Sequence, residues 1–232
     1  MKVIRSLIGA SAVTVSALVL IFATNKGWTP IDRPLPPVRP GQNALRIVAF
    51  GTSLTGGGTW PEDLAPALSR CLGRPVEVTR VAKAGASSAW GLSAVGDVIA
   101  AMPDVVLIEF AINDADLRDG LWPSASQARH EEILSSLAAA LPEASLALMT
   151  MSPAHGPRGW MRPRLAAYYR SYEGLAAAHG IGLIDLYARW LTMPHEKEWF
   201  PDGLHPDFQR ASGVIVPAVT KAIGKASGAN CT

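Results

Sequence analysis

Cysteine is scarce in this chain. Only Cys71 and Cys231 occur, too few for the bridge framework that staples small secreted domains. Stability must therefore come from a core. One bridge between the two and a pair of separate thiols fit the sequence equally well. Histidine and cysteine do not cluster at zinc-ligand spacing. His195-Glu196 begins like a helical zinc motif, but Trp199 stands where the second histidine belongs. No metal or other cofactor is expected. An excess of one charge is also missing: the net charge is +2, and no basic run is interleaved with aromatics. Those absences argue against nucleic acid as a partner. What the chain holds in quantity is apolar residues, at 49% of its 232 positions. That excludes a disordered polymer and suffices for one domain of ordinary size with a full core.

The first long apolar run is not part of that core. Lys2 and Arg5 precede an apolar, uncharged stretch from Leu7 to Thr24, the pattern of a secretory signal or a membrane anchor. As a helix the stretch would span roughly 27 Å, borderline for a bilayer. It lacks a polar face, which speaks against a helix packed in the fold. A small-x-small cleavage site is poorly formed, which favours an uncleaved anchor over a signal ending near Ala23 or Asn25. Positive charge before the run predicts that the remainder is translocated. The expected location is the periplasm or the cell exterior, with residues 1–25 as signal or tether. Residues 26–43 carry Pro30, Pro34, Pro36, Pro37 and Pro40 and read as a semi-rigid spacer.

From residue 44 onward, strand-like and helix-like patterns alternate. Leu45–Phe50, Val76–Val81, Val105–Phe110, Leu146–Thr150 and Ile181–Leu186 are short, apolar and rich in β-formers. Helical spacing marks Trp60–Cys71, Ala89–Ala101, Ser126–Leu141 with a Ser cap, Pro163–His179 with Gly180 as its stop, and Pro206–Ile223 with Pro217 inside it. Continuous apolar strands between helices predict an α/β domain over residues 44–232. Its architecture is a three-layer αβα sandwich around a five-stranded parallel sheet. Ligands bind such sheets at the carboxyl ends of the strands, near the point where the strand order reverses.

Those ends carry reactive and polar groups. After the first strand comes Gly51-Thr52-Ser53-Leu54, followed by Gly56, Gly57 and Gly58. After the second comes Lys83-Ala84-Gly85-Ala86, and after the third Ala111-Ile112-Asn113-Asp114. Asp202-Gly203-Leu204-His205-Pro206 precedes the last helix. A serine hydroxyl becomes a nucleophile when a base takes its proton. A histidine does so near neutral pH when a carboxylate fixes its tautomer, and amide donors must meet the oxyanion that forms. Ser53, His205 and Asp202 supply the first set. The Ser53 and Gly85 amides and the Asn113 side chain supply the second.

These four blocks, in this order and placement, resemble the SGNH (GDSL) hydrolases. The resemblance covers Ala44 to about Lys225 and implies a flavodoxin-like fold. It also implies ester hydrolysis with Ser53, Asp202 and His205 as catalytic residues and Ser53, Gly85 and Asn113 around the oxyanion. Two positions depart from the family pattern. Thr52 stands where the family carries Asp, and Ala111 where it carries Gly two places before the Asn. Loss of the carboxylate at 52 is expected to alter loop packing rather than chemistry.

Rival assignments exist. Asp185, at the end of the fifth strand, could be the triad acid. Asp114 is expected to be structural. His130, His155, His179 and His195 are expected on the surface or in loops. An α/β-hydrolase proper would carry a glycine where Thr55 stands. Trp60, Trp90, Trp160 and Trp199 fall in or beside loops on the active-site side, where exposed indoles could stack on sugar rings; the alternative is that they pack the loops. Export and the tryptophans together suggest an esterase removing small acyl groups, such as acetyl, from a carbohydrate or other envelope substrate. A lipase- or thioesterase-like enzyme, an acyltransferase to a sugar hydroxyl, and a non-catalytic glycan-binding module are the alternatives.

Overall fold

The computed structural model describes residues 29–39, 43–193 and 197–231. The apolar stretch 7–24 and His195 lie outside the described residues. Among the described residues no helix is long and apolar enough to cross a membrane.

Five parallel strands form one sheet in the order β2-β1-β3-β4-β5. They are β1 (Leu45–Gly51), β2 (Val76–Ala82), β3 (Val105–Glu109), β4 (Ser145–Thr150) and β5 (Gly182–Asp185). In register, Ile47 of β1 lies between Val78 of β2 and Val105 of β3. Every residue of β3 and β4 is buried, as a strand with helices on both faces requires. β2, at an edge, is only partly covered along most of its length.

The first helices of the chain are the single turn α1 (Ser53–Gly56) and α2 (Trp60–Leu72). α2 buries Trp60, Leu64 and Leu68, one face at spacing four, each worth about 2–3 kcal/mol in surface removed from water. It packs on α10 (Phe208–Ala226). Across the sheet lie α3 (Ser88–Ser93), α4 (Val95–Ala100), α6 (Pro123–Ala140) and α8 (Leu165–His179). Short turns fill the strand ends: α5 (Ala111–Asp114), α7 (Gly156–Trp160) and α9 (Leu186–Leu191). The expected α/β sandwich is thus the observed one.

Several boundaries differ from expectation. The helix expected over Ala89–Ala101 is broken at Ala94. The Ser93 hydroxyl donates back to Trp90 O at 2.7 Å, a bond that bends helices. α6 opens at Pro123, so Ser126 is no cap; it is buried one turn inside. Asp207 rather than Pro206 starts α10, its carboxylate accepting from Arg210 N at 3.1 Å, and the helix runs through Pro217 to Ala226.

The proline-rich segment departs most from a spacer. Arg33 pairs antiparallel with Leu183 on the edge of β5. Val38 N donates to Ala226 O at 2.9 Å, and Leu35 and Val38 are buried. Asp32 pairs with Arg189 at 2.6 Å. Residues 31–38 therefore belong to the folded domain. Prolines suit this place because an edge segment that lacks donors does not invite a further strand.

Candidate active site

The site lies at the carboxyl ends of β1, β2 and β3, where the strand order reverses. β1 ends at Gly51. Thr52 caps α1, its hydroxyl accepting from Leu54 N at 3.2 Å. Ser53 is the first residue of the turn, and its amide makes no hydrogen bond among the described residues. Glu109, the last residue of β3, lies fully buried beneath this turn. Its carboxyl group accepts from Thr52 N at 2.6 Å, Thr55 Oγ1 at 2.7 Å and Thr52 Oγ1 at 3.0 Å. Gly51 leaves room for this group, because a Cβ there would collide with the Glu109 carboxyl unless that side chain shifted. Burial pushes the Glu109 pKa up to about 7, against the lowering effect of the Thr52 and Thr55 hydrogen bonds. Thr52 thus does more than adjust loop packing. It holds a carboxyl group that arrives from the neighbouring strand.

Ser53 Oγ lies 2.8 Å from His205 Nε2, and His205 Nδ1 lies 2.8 Å from Asp202 Oδ2. The carboxylate requires the hydrogen on Nδ1, which leaves the Nε2 lone pair facing the serine. Asp202 Oδ1 accepts from Leu204 N at 2.9 Å and His205 N at 2.8 Å. Partial burial works against the carboxylate. The His205 backbone and ring donors and the Leu204 amide overcome it and hold the pKa down to about 2. Between them Gly203 adopts φ +80°, and a Cβ there would lie 2.6 Å from His155 O. The turn that presents Asp202 and His205 together therefore needs its glycine. Asp185 is occupied elsewhere: it accepts from Thr150 Oγ1 at 2.9 Å, Ala188 N at 3.2 Å and Ile31 N at 3.1 Å.

Gly85 and Asn113 line the same cleft as Ser53 and His205. The Gly85 amide, like that of Ser53, is unused among the described residues. One hydrogen of Asn113 Nδ2 goes to Ala86 O at 2.9 Å; the second is available to the cleft. Arg162 carries no local signal in the sequence. Its buried guanidinium donates to Ile112 O at 2.8 Å and reaches Asn113 Oδ1 at 3.4 Å, while pairing with Asp116 at 2.8 Å. That contact fixes which end of the Asn113 amide faces outward. Asp114 is structural, accepting from Ser88 N at 2.7 Å and Ser126 Oγ at 2.5 Å.

Two cavities flank Ser53. One is an apolar slot of about 20 Å³ lined by Met151, Trp190, Phe208 and Ile215. The other is a polar cavity of about 170 Å³ edged by Asp116, Arg118, Asp119, Arg158 and Arg162. None of the four tryptophans singled out by position lines either cavity. Trp60 is buried, its indole N–H donating to Leu54 O at 3.1 Å. Trp90 packs between Phe50 and Phe110, and Trp199 is covered by Trp190 and by the Arg210 guanidinium. These three pack the structure. Trp160 alone of the four is largely exposed, at 76%. It closes the short helix that carries Arg158. His130 is another correction: it is completely buried in α6. His179 pairs with Glu131 at 2.8 Å, and the His155 ring packs at a tilt against Phe200. No group of residues able to hold a metal occurs among the described residues.

A serine, an imidazole and a carboxylate in line, with three unused amide donors around the serine, form an arrangement suited to acyl transfer. Residues 47–208 match the model of the GDSL-like lipase/acylhydrolase family. The chain belongs to this family. A comparison with curated proteins finds no match. Among solved structures, the chain is similar to a lipase/acylhydrolase from Enterococcus faecalis, with 24% identity, a TM-score of 0.69, and 81% of this chain and 98% of that one covered. TesA gives 21%, 0.64, 78% and 99% in the same order. A catalytic mutant of an acetylxylan esterase from Geobacillus stearothermophilus gives 18%, 0.68, 80% and 97%. At these identities the likeness is one of fold, and family membership makes the protein a GDSL-like acylhydrolase.

Proposed function

We propose that this acylhydrolase is a serine esterase that removes small acyl groups, of acetyl size, from a carbohydrate or other envelope polyol. The observation that carries the mechanism is the unbroken line Asp202–His205–Ser53, with both links at 2.8 Å. As Ser53 Oγ attacks the acyl carbonyl, its proton passes to His205 Nε2. The oxyanion sits among the Ser53 and Gly85 amides and the free Asn113 hydrogen. The imidazolium then returns the proton to the departing alkoxide. Water, deprotonated by the same imidazole, attacks the acyl-serine and releases the acid.

The slot beside Ser53 supports the reading of a small acyl group. Its roughly 20 Å³ is little more than the volume of one water on the same measure, and Trp190 and Met151 are among the side chains that line it. The polar cavity on the other side suits a hydroxylated alcohol better than a lipid, and the short helix that brings Arg158 to it ends in the exposed indole of Trp160. Export is part of the same proposal. It is supported by the Lys2/Arg5-led apolar stretch and by a bridge between Cys71 and Cys231, since such bridges persist in oxidising compartments.

A fluorophosphonate probe is expected to label the wild type and not Ser53→Ala; labelling of the variant would remove Ser53 as nucleophile. p-Nitrophenyl esters of graded length and acetylated oligosaccharides, with and without acceptor sugars, test the rest. Preference for long chains would overturn the small-acyl reading, and acyl transfer outrunning hydrolysis would make the protein a transferase.

A further inference from the structure

Beneath the Asn113 turn lies a buried polar set that takes no part in the proposed chemistry. The turn α5 has no side-chain cap of its own at Phe110. Instead Phe110 N and Ala111 N both donate to the Tyr172 hydroxyl, each at 3.1 Å. A phenol oxygen that accepts twice must send its one proton elsewhere. His130 Nε2, at 2.8 Å, is the acceptor. The hydrogen of the imidazole is then on Nδ1, which donates to Ser126 O at 2.8 Å. Tyr172 and His130 are both fully buried.

The groups around the imidazole agree with a neutral ring. Burial pushes the His130 pKa down, opposed by the Asp114 carboxylate, which lies 3.8 Å from Nδ1. The other faces are the Phe110 ring, the Tyr172 phenol and Ser126. Burial also pushes the Tyr172 phenol up, so it keeps its proton. A second proton on His130 would turn both ring nitrogens into donors and leave the Tyr172 hydrogen without an acceptor.

The turn is also tied sideways. Asp114 accepts from Ser88 N and Asn113 donates to Ala86 O, so the two loops that carry the oxyanion donors are joined. Tyr172 pins the joined pair from below. We infer that Tyr172, with its proton held by the neutral His130 ring, is a positioning residue for the Asn113 oxyanion donor. This rests on the reading of Asn113 as such a donor.

The test uses the full chain with p-nitrophenyl acetate, counting active sites by fluorophosphonate titration. Tyr172→Phe keeps the ring and removes the oxygen. Per titrated site, kcat is expected to fall ~10–100-fold with KM within ~2-fold, because the donor meets an anion that exists only in the transition state. Asn113→Ala alone is expected to cost ~10²–10³-fold. In the Asn113→Ala background, Tyr172→Phe is expected to cost no more than a further ~2-fold, because it acts through the missing group. An equal loss in both backgrounds would reduce Tyr172 to a general structural role and overturn the inference. An unchanged rate in Asn113→Ala would overturn the donor reading itself, and the inference with it. His130→Gln retains an acceptor for the phenol and is expected to keep kcat within ~3-fold, whereas His130→Leu should behave like Tyr172→Phe. If Tyr172→Phe does not fold, this pair, read in the same two backgrounds, decides between the same outcomes.

Discussion

Replacing Glu109 by glutamine should make the protein more stable at alkaline pH and change little in acid. Burial raises the Glu109 pKa from 4.5 to about 7. Between those values the folded protein holds a proton that the unfolded chain has released. Folded stability therefore falls as pH rises through the window and levels off above about 7. A rise of that size corresponds to about 3 kcal/mol, a large share of the 5–15 kcal/mol typical of a domain. The glutamine side chain of Glu109→Gln cannot ionise. Its oxygen can still accept from Thr52 N and Thr55 Oγ1, and its amide can donate to Thr52 Oγ1, which lies 3.1 Å from Glu109 Oε2. Urea unfolding of both proteins at pH 5, 6, 7 and 8 measures the difference. The variant should gain about 2–3 kcal/mol on the wild type across that range, with m unchanged. A difference that does not vary with pH would refute the assignment of the titration to Glu109. One that moves against the variant would reverse its sign.

Two further changes test other parts of the structure. Cys71 and Cys231 are bridged across 160 positions, so Cys71→Ser with Cys231→Ser should lower unfolding stability by about 3–5 kcal/mol through the released chain entropy; an unchanged urea midpoint would show that the bridge does not form in solution. Trp160→Ala should raise KM for acetylated oligosaccharides ~10-fold while leaving p-nitrophenyl acetate unaffected, and equal effects on both substrates would take the indole out of sugar binding.

The fold is legible in the sequence because its central strands are apolar throughout. Val105–Ile108 and Leu146–Met149 can be buried on both faces only between two helical layers. Ser53, Gly85, Asn113, Asp202 and His205 are legible for a related reason: each occupies a turn at a strand end or before a helix, where side chains meet ligands. The tryptophans mislead because nearness to a loop says less than periodicity. Trp60 stands four residues before Leu64 and eight before Leu68, on the face that α2 buries. The spacer misleads because proline content describes chain stiffness, whereas Leu35 and Val38 within it are the residues that dock.

The supports of the site are harder to see, since their partners are distant along the chain. Glu109 meets Thr52 across 57 positions, Arg162 meets Asn113 across 49, and Tyr172 meets Phe110 N across 62. Nothing local marks Arg162 or His130. Glu109 is different, because it ends a strand that is otherwise wholly apolar and is followed by Phe110. A carboxyl group there must find donors or a proton, and the hydroxyls and amide of the neighbouring turn are its nearest source. Seen from the other partner, Thr52 becomes intelligible. An ionised aspartate at 52 has no hydrogen to give to the acid below it, and the two could pair only while Glu109 keeps its proton. A threonine can donate to Glu109 and accept from Leu54 N at once. The departure from the family pattern at 52 and the buried acid at 109 are therefore one feature, and only the packed sheet brings its two halves together.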